Sequence, residues 1–337
     1  MTLAPNEVLP DEQSLEAAPP PGAVQGRSLR QIAWSRIRRD KVAMISLVVI
    51  VVLVLVALFA PLLTRLNGYP PDQFNTAEPG LLNRRLGGLP LGSFGGVSGQ
   101  HWFGVEPATG RDIFSRIVHG ARVSLSIALL ATLVSVVLGT VLGLLAGYFG
   151  GWVDNVISRV MDVLLAFPQL LFIIALTPVI DDRLTALGLP NDNRTRVIVL
   201  VFIIGFFGWP YLARIVRGQT LSLREREFVE ASKSLGAGSM HIVFKQLLPN
   251  LAATILVYAS LIIPTNITTE AALSFLGVGV REPTASWGNM LAVALRWYQV
   301  DPMFMVFPGA ALFVTVLAFN LLGDTIRDAL DPRAGRS

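Results

Sequence analysis

Six runs of roughly twenty apolar residues limit what this chain can become: about 43–63, 124–147, 161–180, 197–216, 251–273 and 303–322. Each is near the ~20 residues a helix needs to cross a ~30 Å hydrocarbon core. In that core every backbone N–H and C=O must be satisfied within the protein, which leaves only helices and closed barrels. None of the runs alternates in the manner of a barrel strand. The expected fold is therefore all-α, a polytopic membrane protein with six transmembrane helices. Pro168, Pro210, Pro264 and Pro308 fall inside the runs, and membrane helices tolerate proline. The composition agrees, with 53% hydrophobic and 15% charged residues. With no cysteine, the chain has no disulfides, thiolate metal sites or cysteine nucleophile.

The segments between the runs divide the chain. Residues 1–26 are rich in Pro and Ala and carry Glu7, Asp11, Glu12 and Glu16, the composition of a disordered tail rather than a signal peptide. Residues 27–41 set Leu29, Ile32, Ala33 and Ile37 against Arg30, Arg36, Arg38 and Arg39, which predicts a basic amphipathic helix lying on membrane lipid. A first transmembrane helix over 42–64, a Gly- and Pro-rich extracytoplasmic loop over 65–121, a five-helix core over 122–323 and a tail over 324–337 follow. Basic residues cluster before the first span and in the 218–250 loop, at Arg224, Arg226, Lys233 and Lys245. The positive-inside rule then makes both termini and that loop cytoplasmic.

The loop is patterned. Arg224 to Leu235 reads as a helix, Gly236-Ala237-Gly238 as left-handed positions that end it, and Ser239 as the cap of a second helix that Pro249 breaks. A DNA-reading helix-turn-helix is excluded by context, since the element is trapped between two spans. No phosphate-binding G-x-x-x-x-G-K-[ST] occurs, so ATP chemistry would belong to another polypeptide. His101, His119 and His241 are scattered without metal-ligand spacing. No catalytic set, metal, cofactor or nucleic-acid partner is expected. Among charges within the spans, Asp162 has the helical spacing to pair with Arg159. Glu270 lies near the far boundary of its span, so it either reaches water or forms, with Asn266 and Thr269, a polar face lining a pathway.

Glu230-Ala231-Ser232, then Gly236, then Leu248-Pro249-Asn250, closely resembles the EAA loop of ABC importer permeases. Ser232 replaces the usual second alanine, and Gln246 stands where the peptide-permease branch often has histidine. His101, Phe103, Gly104, Gly110-Arg111-Asp112, Ser115-Arg116 and Gly120-Ala121-Arg122 resemble a segment of the dipeptide and oligopeptide permeases, with Trp102 in place of proline. Here Asp112 to His119 would be a short amphipathic helix, with Arg116 and Arg122 near the headgroups. The stretches 147–162 and 269–291 extend the likeness. The resemblance implies a type I ABC importer permease, the C-type subunit of a dipeptide, oligopeptide or nickel system in the bacterial cytoplasmic membrane. It also implies a second permease of different sequence, two cytoplasmic ATP-binding subunits and an extracytoplasmic substrate-binding protein. Glu230, Ala231, Ser232, Gly236, Leu248 and Pro249 would couple to the ATPase. Peptide is the expected cargo, with nickel chelate or glutathione as alternatives. A secondary transporter would want intramembrane carboxylates and an internal repeat, and a channel-like protein would lack an ATPase.

Overall fold

The computed structural model describes residues 35, 37–188, 190 and 192–330. The expected tail over 1–26, most of the 27–41 helix and residues 331–337 lie outside them. Among the described residues, five helices are long and apolar enough to cross a membrane, and a bent pair raises the number to six if it counts as one span.

Helix α1 (Lys41–Leu58) is capped by Asp40, whose Oδ1 accepts from the N–H of Val42 (2.8 Å) and Ala43 (3.2 Å). It turns at Phe59 into α2 (Ala60–Asn67), which Gly68 ends in the left-handed region (φ 84). The loop that follows folds on itself and contains a minimal hairpin, β1 (Leu82–Asn83) antiparallel to β2 (Leu89–Pro90). Helix α3 (Ile113–Phe149) is 37 residues long, about 55 Å. Asp112 caps it by accepting from the Ser115 N–H at 2.7 Å. The chain continues through α4 (Gly151–Ala166), α5 (Gln169–Ala186), α6 (Asn193–Arg224), α7 (Glu227–Ser234), α8 (Leu248–Phe275), α9 (Trp287–Ala294) and α10 (Met303–Leu330).

The centre of the fold is the pairing of α3 with α6. Gly139, Gly143 and Gly147 recur every four residues and form one ridge on α3. A Cβ on Gly139 would lie 3.0 Å from Leu212 Cβ, one on Gly143 2.8 Å from Val216 Cβ, and one on Gly147 2.6 Å from Thr220 Cβ. The register advances equally on both helices, so they run parallel. Gly205 of α6 returns the fit, with Val134 Cβ 2.6 Å from where its own Cβ would stand. Lipid supplies no hydrophobic drive between two apolar helices, so close backbone approach through small residues is what holds them. Around this pair, α1, α8 and α10 close a second core from Ile50, Leu125, Ile267, Trp287 and Phe319.

Four expectations change. The third run is broken: α4 and α5 meet at 93° about Phe167 and Pro168. Phe167 is extended (φ −91, ψ 139), the conformation a following proline favours. Pro178, Pro210, Pro264 and Pro308 stay inside intact helices. No separate helix covers Asp112 to His119, because α3 begins at Ile113, and Arg116 is buried rather than at the headgroups. Asp162 pairs with Arg214 of α6 at 2.7 Å, not with Arg159. Pro249 does not end a helix, since helical structure runs unbroken from Ser239 to Phe275. Ile242 to Leu247 is a π-helical turn, and its greater width accommodates a ring that would otherwise crowd the preceding turn.

Candidate coupling site and polar faces of the bundle

Helix α7 follows a break at Glu225–Arg226 and is only two turns long. Val229 is its one buried residue, packed among Leu212, Val216, Ile242, Val243 and Leu247 of the neighbouring elements. Glu230 and Ala231 face outward, and Ser232 is half-buried. Gly236 has φ 82, so a side chain there would be strained although nothing crowds the space. Gly238 is not left-handed; at φ −69 it takes the N-cap place expected of Ser239. Leu248 is half-buried and Pro249 exposed at the start of α8.

The same region presents apolar surface that the sequence reading overlooked. Leu235 is 89% exposed, Met240 63% and Phe244 52%, before and after the Gly236 bend. Their polar neighbours hide the pattern in sequence.

On α8, Asn266, Thr269 and Glu270 do not share a face. Asn266 is buried and donates from Nδ2 to Thr132 Oγ1 of α3 at 2.9 Å. Glu270 is wholly buried. Ser274 Oγ donates to its Oε1 at 2.7 Å, Ser124 and Ser286 lie beside it, and Oε2 has no hydrogen-bond partner among the described residues. Counting along the helix puts Glu270 near a boundary, but the 276–286 loop and α9 fold back over it. Thr269 instead joins Thr265, Thr268 and Ala272 on the opposite side, along a groove of about 350 Å³ completed by Leu170, Val316 and Asn320. Spacing at 265, 268, 269 and 272 is the helical signature that finds this face in sequence.

At the end of the bundle away from α7, charge is buried. Arg111 Nε and Nη2 donate to Glu106 at 2.6 and 2.8 Å, and Nη2 reaches Glu282 at 2.8 Å. Burial alone would lower the Arg111 pKa, but the bonds and charges of Glu106 and Glu282 hold it above its ordinary value. Arg116, fully buried, donates to Glu282 at 3.2 Å and to the Pro283 carbonyl at 3.3 Å. His101 Nδ1 sits 2.9 Å from Asp112 Oδ1, and Asn67 donates to Asp112 Oδ2 at 3.0 Å. These bonds make the 68–112 loop an ordered cap joined to the 276–286 loop. Among the described residues no cluster of metal-binding type occurs.

Residues 139–336 match the family "Binding-protein-dependent transport system inner membrane component", and residues 28–82 match the "N-terminal TM domain of oligopeptide transport permease C". The chain is 37% identical to the dipeptide transport system permease protein DppC of Alkalihalophilus pseudofirmus, over 99% of this chain and 96% of that one. It is 44% identical to the glutathione transport system permease protein GsiD of Salmonella paratyphi A, over 89% of each. A chain from inward-facing crystals of the MetNI methionine ABC transporter aligns with a TM-score of 0.49 and 20% identity, over 65% of this chain and 98% of that one. Family membership implies the bacterial inner membrane, an ATPase and a substrate-binding protein as partners, and no ATP hydrolysis by this subunit itself. The long apolar helices, the matched family and the near full-length relatives agree: this chain belongs to the binding-protein-dependent inner-membrane components, the permease subunits of ABC importers.

Proposed function

We propose that this permease carries di- and oligopeptides inward as one half of a two-permease pathway, driven through α7 by two cytoplasmic ATPase subunits. Both termini and α7 then lie on the cytoplasmic side, and the 68–112 cap faces the binding protein. The observation that carries this reading is α7 itself: an exposed two-turn helix, plugged into the bundle by Val229, beside an uncovered apolar tip. Glu230 and Ala231 would meet a groove of the ATPase, with Leu235, Met240 and Phe244 covered on docking. Gly236 would hold the bend, and Leu248 and Pro249 would fix where α8 departs.

For the pathway, the groove along Thr265, Thr268, Thr269 and Asn320 supports the reading better than Asn266 or Glu270, which are committed to packing against α3. Hydroxyl and amide groups without a formal charge suit the amide bonds of peptides of varied side chain. Peptide cargo is further supported by relatives named for dipeptide and for glutathione, itself a tripeptide. The chemistry of this chain is mechanical: closure of the ATPases displaces α7, and the spans rock between outward- and inward-open states.

The test is purification of the intact assembly, mass spectrometry of its subunits, and ATPase and uptake assays with a dipeptide, glutathione and a nickel chelate. A dipeptide should stimulate both activities most. Uptake that follows an ion gradient without an ATP-hydrolysing subunit would overturn the reading. In the same assembly, Thr268→Cys and Thr269→Cys should react with a thiol reagent in one nucleotide state more than the other, and Asn266→Cys should stay protected.

A further inference from the structure

Helix α7 is attached to the bundle at two points, and the second is a single hydrogen bond. The Ser232 hydroxyl donates to the Phe228 carbonyl (2.9 Å) and accepts from Gln246 Nε2 (2.7 Å). The first bond stays within α7. The second crosses to the π-helical turn that continues into α8. Among the described residues it is the one side chain–side chain hydrogen bond or ion pair between α7 and that turn. The hydroxyl thereby uses its one proton and one of its two lone pairs.

The geometry of the two attachments is specific. Ser232 is three residues beyond Val229, so plug and hydroxyl project from the same side of α7. Gln246 is four beyond Ile242, a spacing that stays near one face even in a π-helical turn, which places its amide on the side that receives the plug. A helix held only by one apolar side chain can swivel about it, because apolar contact is not directional. A hydrogen bond about one turn away is directional and stops the swivel. Asn250 Nδ2 donates to the Gln246 carbonyl at 2.7 Å, and Thr254 Oγ1 donates to Gln219 of α6 at 2.8 Å, so the receiving end is tied to the bundle.

We infer that Ser232 and Gln246 form a clasp that fixes the angle of α7 against α8, so that displacement of α7 moves the span rather than rotating α7 about Val229. Both are positioning residues. The inference rests on the reading of α7 as the ATPase-coupling helix. It also gives the two departures from the family pattern a common account: a serine and a glutamine that bond each other.

The experiment is a double-mutant cycle in the full transporter reconstituted in vesicles, reading peptide delivered per ATP hydrolysed. Ser232→Ala and Gln246→Leu should each lower that ratio by about fivefold, the factor that corresponds to one neutral hydrogen bond. The double variant should be no worse than either single one. Ser232→Thr, which keeps the hydroxyl, should restore most of the ratio. Additive losses, or an unchanged ratio in both single variants, would overturn the clasp. So would a lower yield of assembled complex with the ratio intact, since the bond would then serve assembly alone. Glu230→Lys and Gly236→Val separate the two levels. If they couple normally, the coupling-helix reading fails and the clasp with it. If they uncouple while the Ser232 and Gln246 variants do not, the clasp alone fails.

Discussion

The α3–α6 pair and helix α7 are attached to the molecule in opposite ways. Along α3 and α6, glycine after glycine brings backbone against side chain with no room for one more carbon, and Ser135 Oγ adds a bond to the Gly205 carbonyl at 2.9 Å. Helix α7 touches the bundle through one buried valine and one clasp, leaving most of its surface uncovered. The first arrangement resists any change of angle, because interiors packed at this density do not deform by degrees. The second permits a small element to be pushed and leaves it free for a partner. Sequence changes should therefore act on stability in the first region and on coupling in the second.

Ranked by their effect on stability, five substitutions test that contrast. Gly147→Leu should be the most damaging: the added carbons meet Thr220 and the Arg217 carbonyl, an overpacking cost of about 3 kcal/mol or more. The expected result is loss of monodisperse protein after detergent extraction, while Gly218→Ala, which has open space, extracts normally. Next is Glu106→Ala, which removes the carboxylate nearest to buried Arg111 and should cost about 3–5 kcal/mol. Thermal unfolding in detergent reads it, and an unchanged midpoint would mean that Glu282 alone compensates the charge. Third is Gly236→Val, strained at φ 82 by about 1–3 kcal/mol, and below it Glu230→Lys on an exposed face; both should abolish peptide uptake, with the chain still inserted. Smallest is Asp162→Asn: both it and Arg214 are more than half exposed, and such pairs contribute about 0–1 kcal/mol. A large loss of stability there would show that α4 is held far more tightly than its exposed surface indicates.

Length and hydropathy made the spans legible, since about twenty apolar residues in a row have few other uses. What local pattern could not supply was each residue's neighbour across the fold. Pro168 looks like Pro210 and Pro264 in sequence, yet only at Pro168 does the preceding residue leave the helix. Asp162 has a basic residue at helical spacing in Arg159 and finds a better one on α6. Glu270 was placed by counting along one helix, while its burial is decided by Ser124, Ser286 and a loop that returns over it. Around α7, the bend at Gly236 was readable from glycine placement. The bond between Ser232 and Gln246 was not, because the two stand fourteen positions apart across the Gly236 bend, with Gln246 inside a π-helical turn.

The cap also imposes an order of events on biogenesis. Arg116 is fully buried, and its nearest carboxylate contact, to Glu282, is 166 residues further along the chain. At ~5–20 residues per second, a ribosome needs roughly 8–33 s to supply that glutamate after the arginine has emerged. Until then the guanidinium has only the longer carboxylate contacts to Glu106 (3.7 Å) and Asp72 (3.8 Å), so the cap locks only after five of the six apolar runs have been synthesised, and a chain truncated before Glu282 would reach the membrane with that arginine half-sheathed.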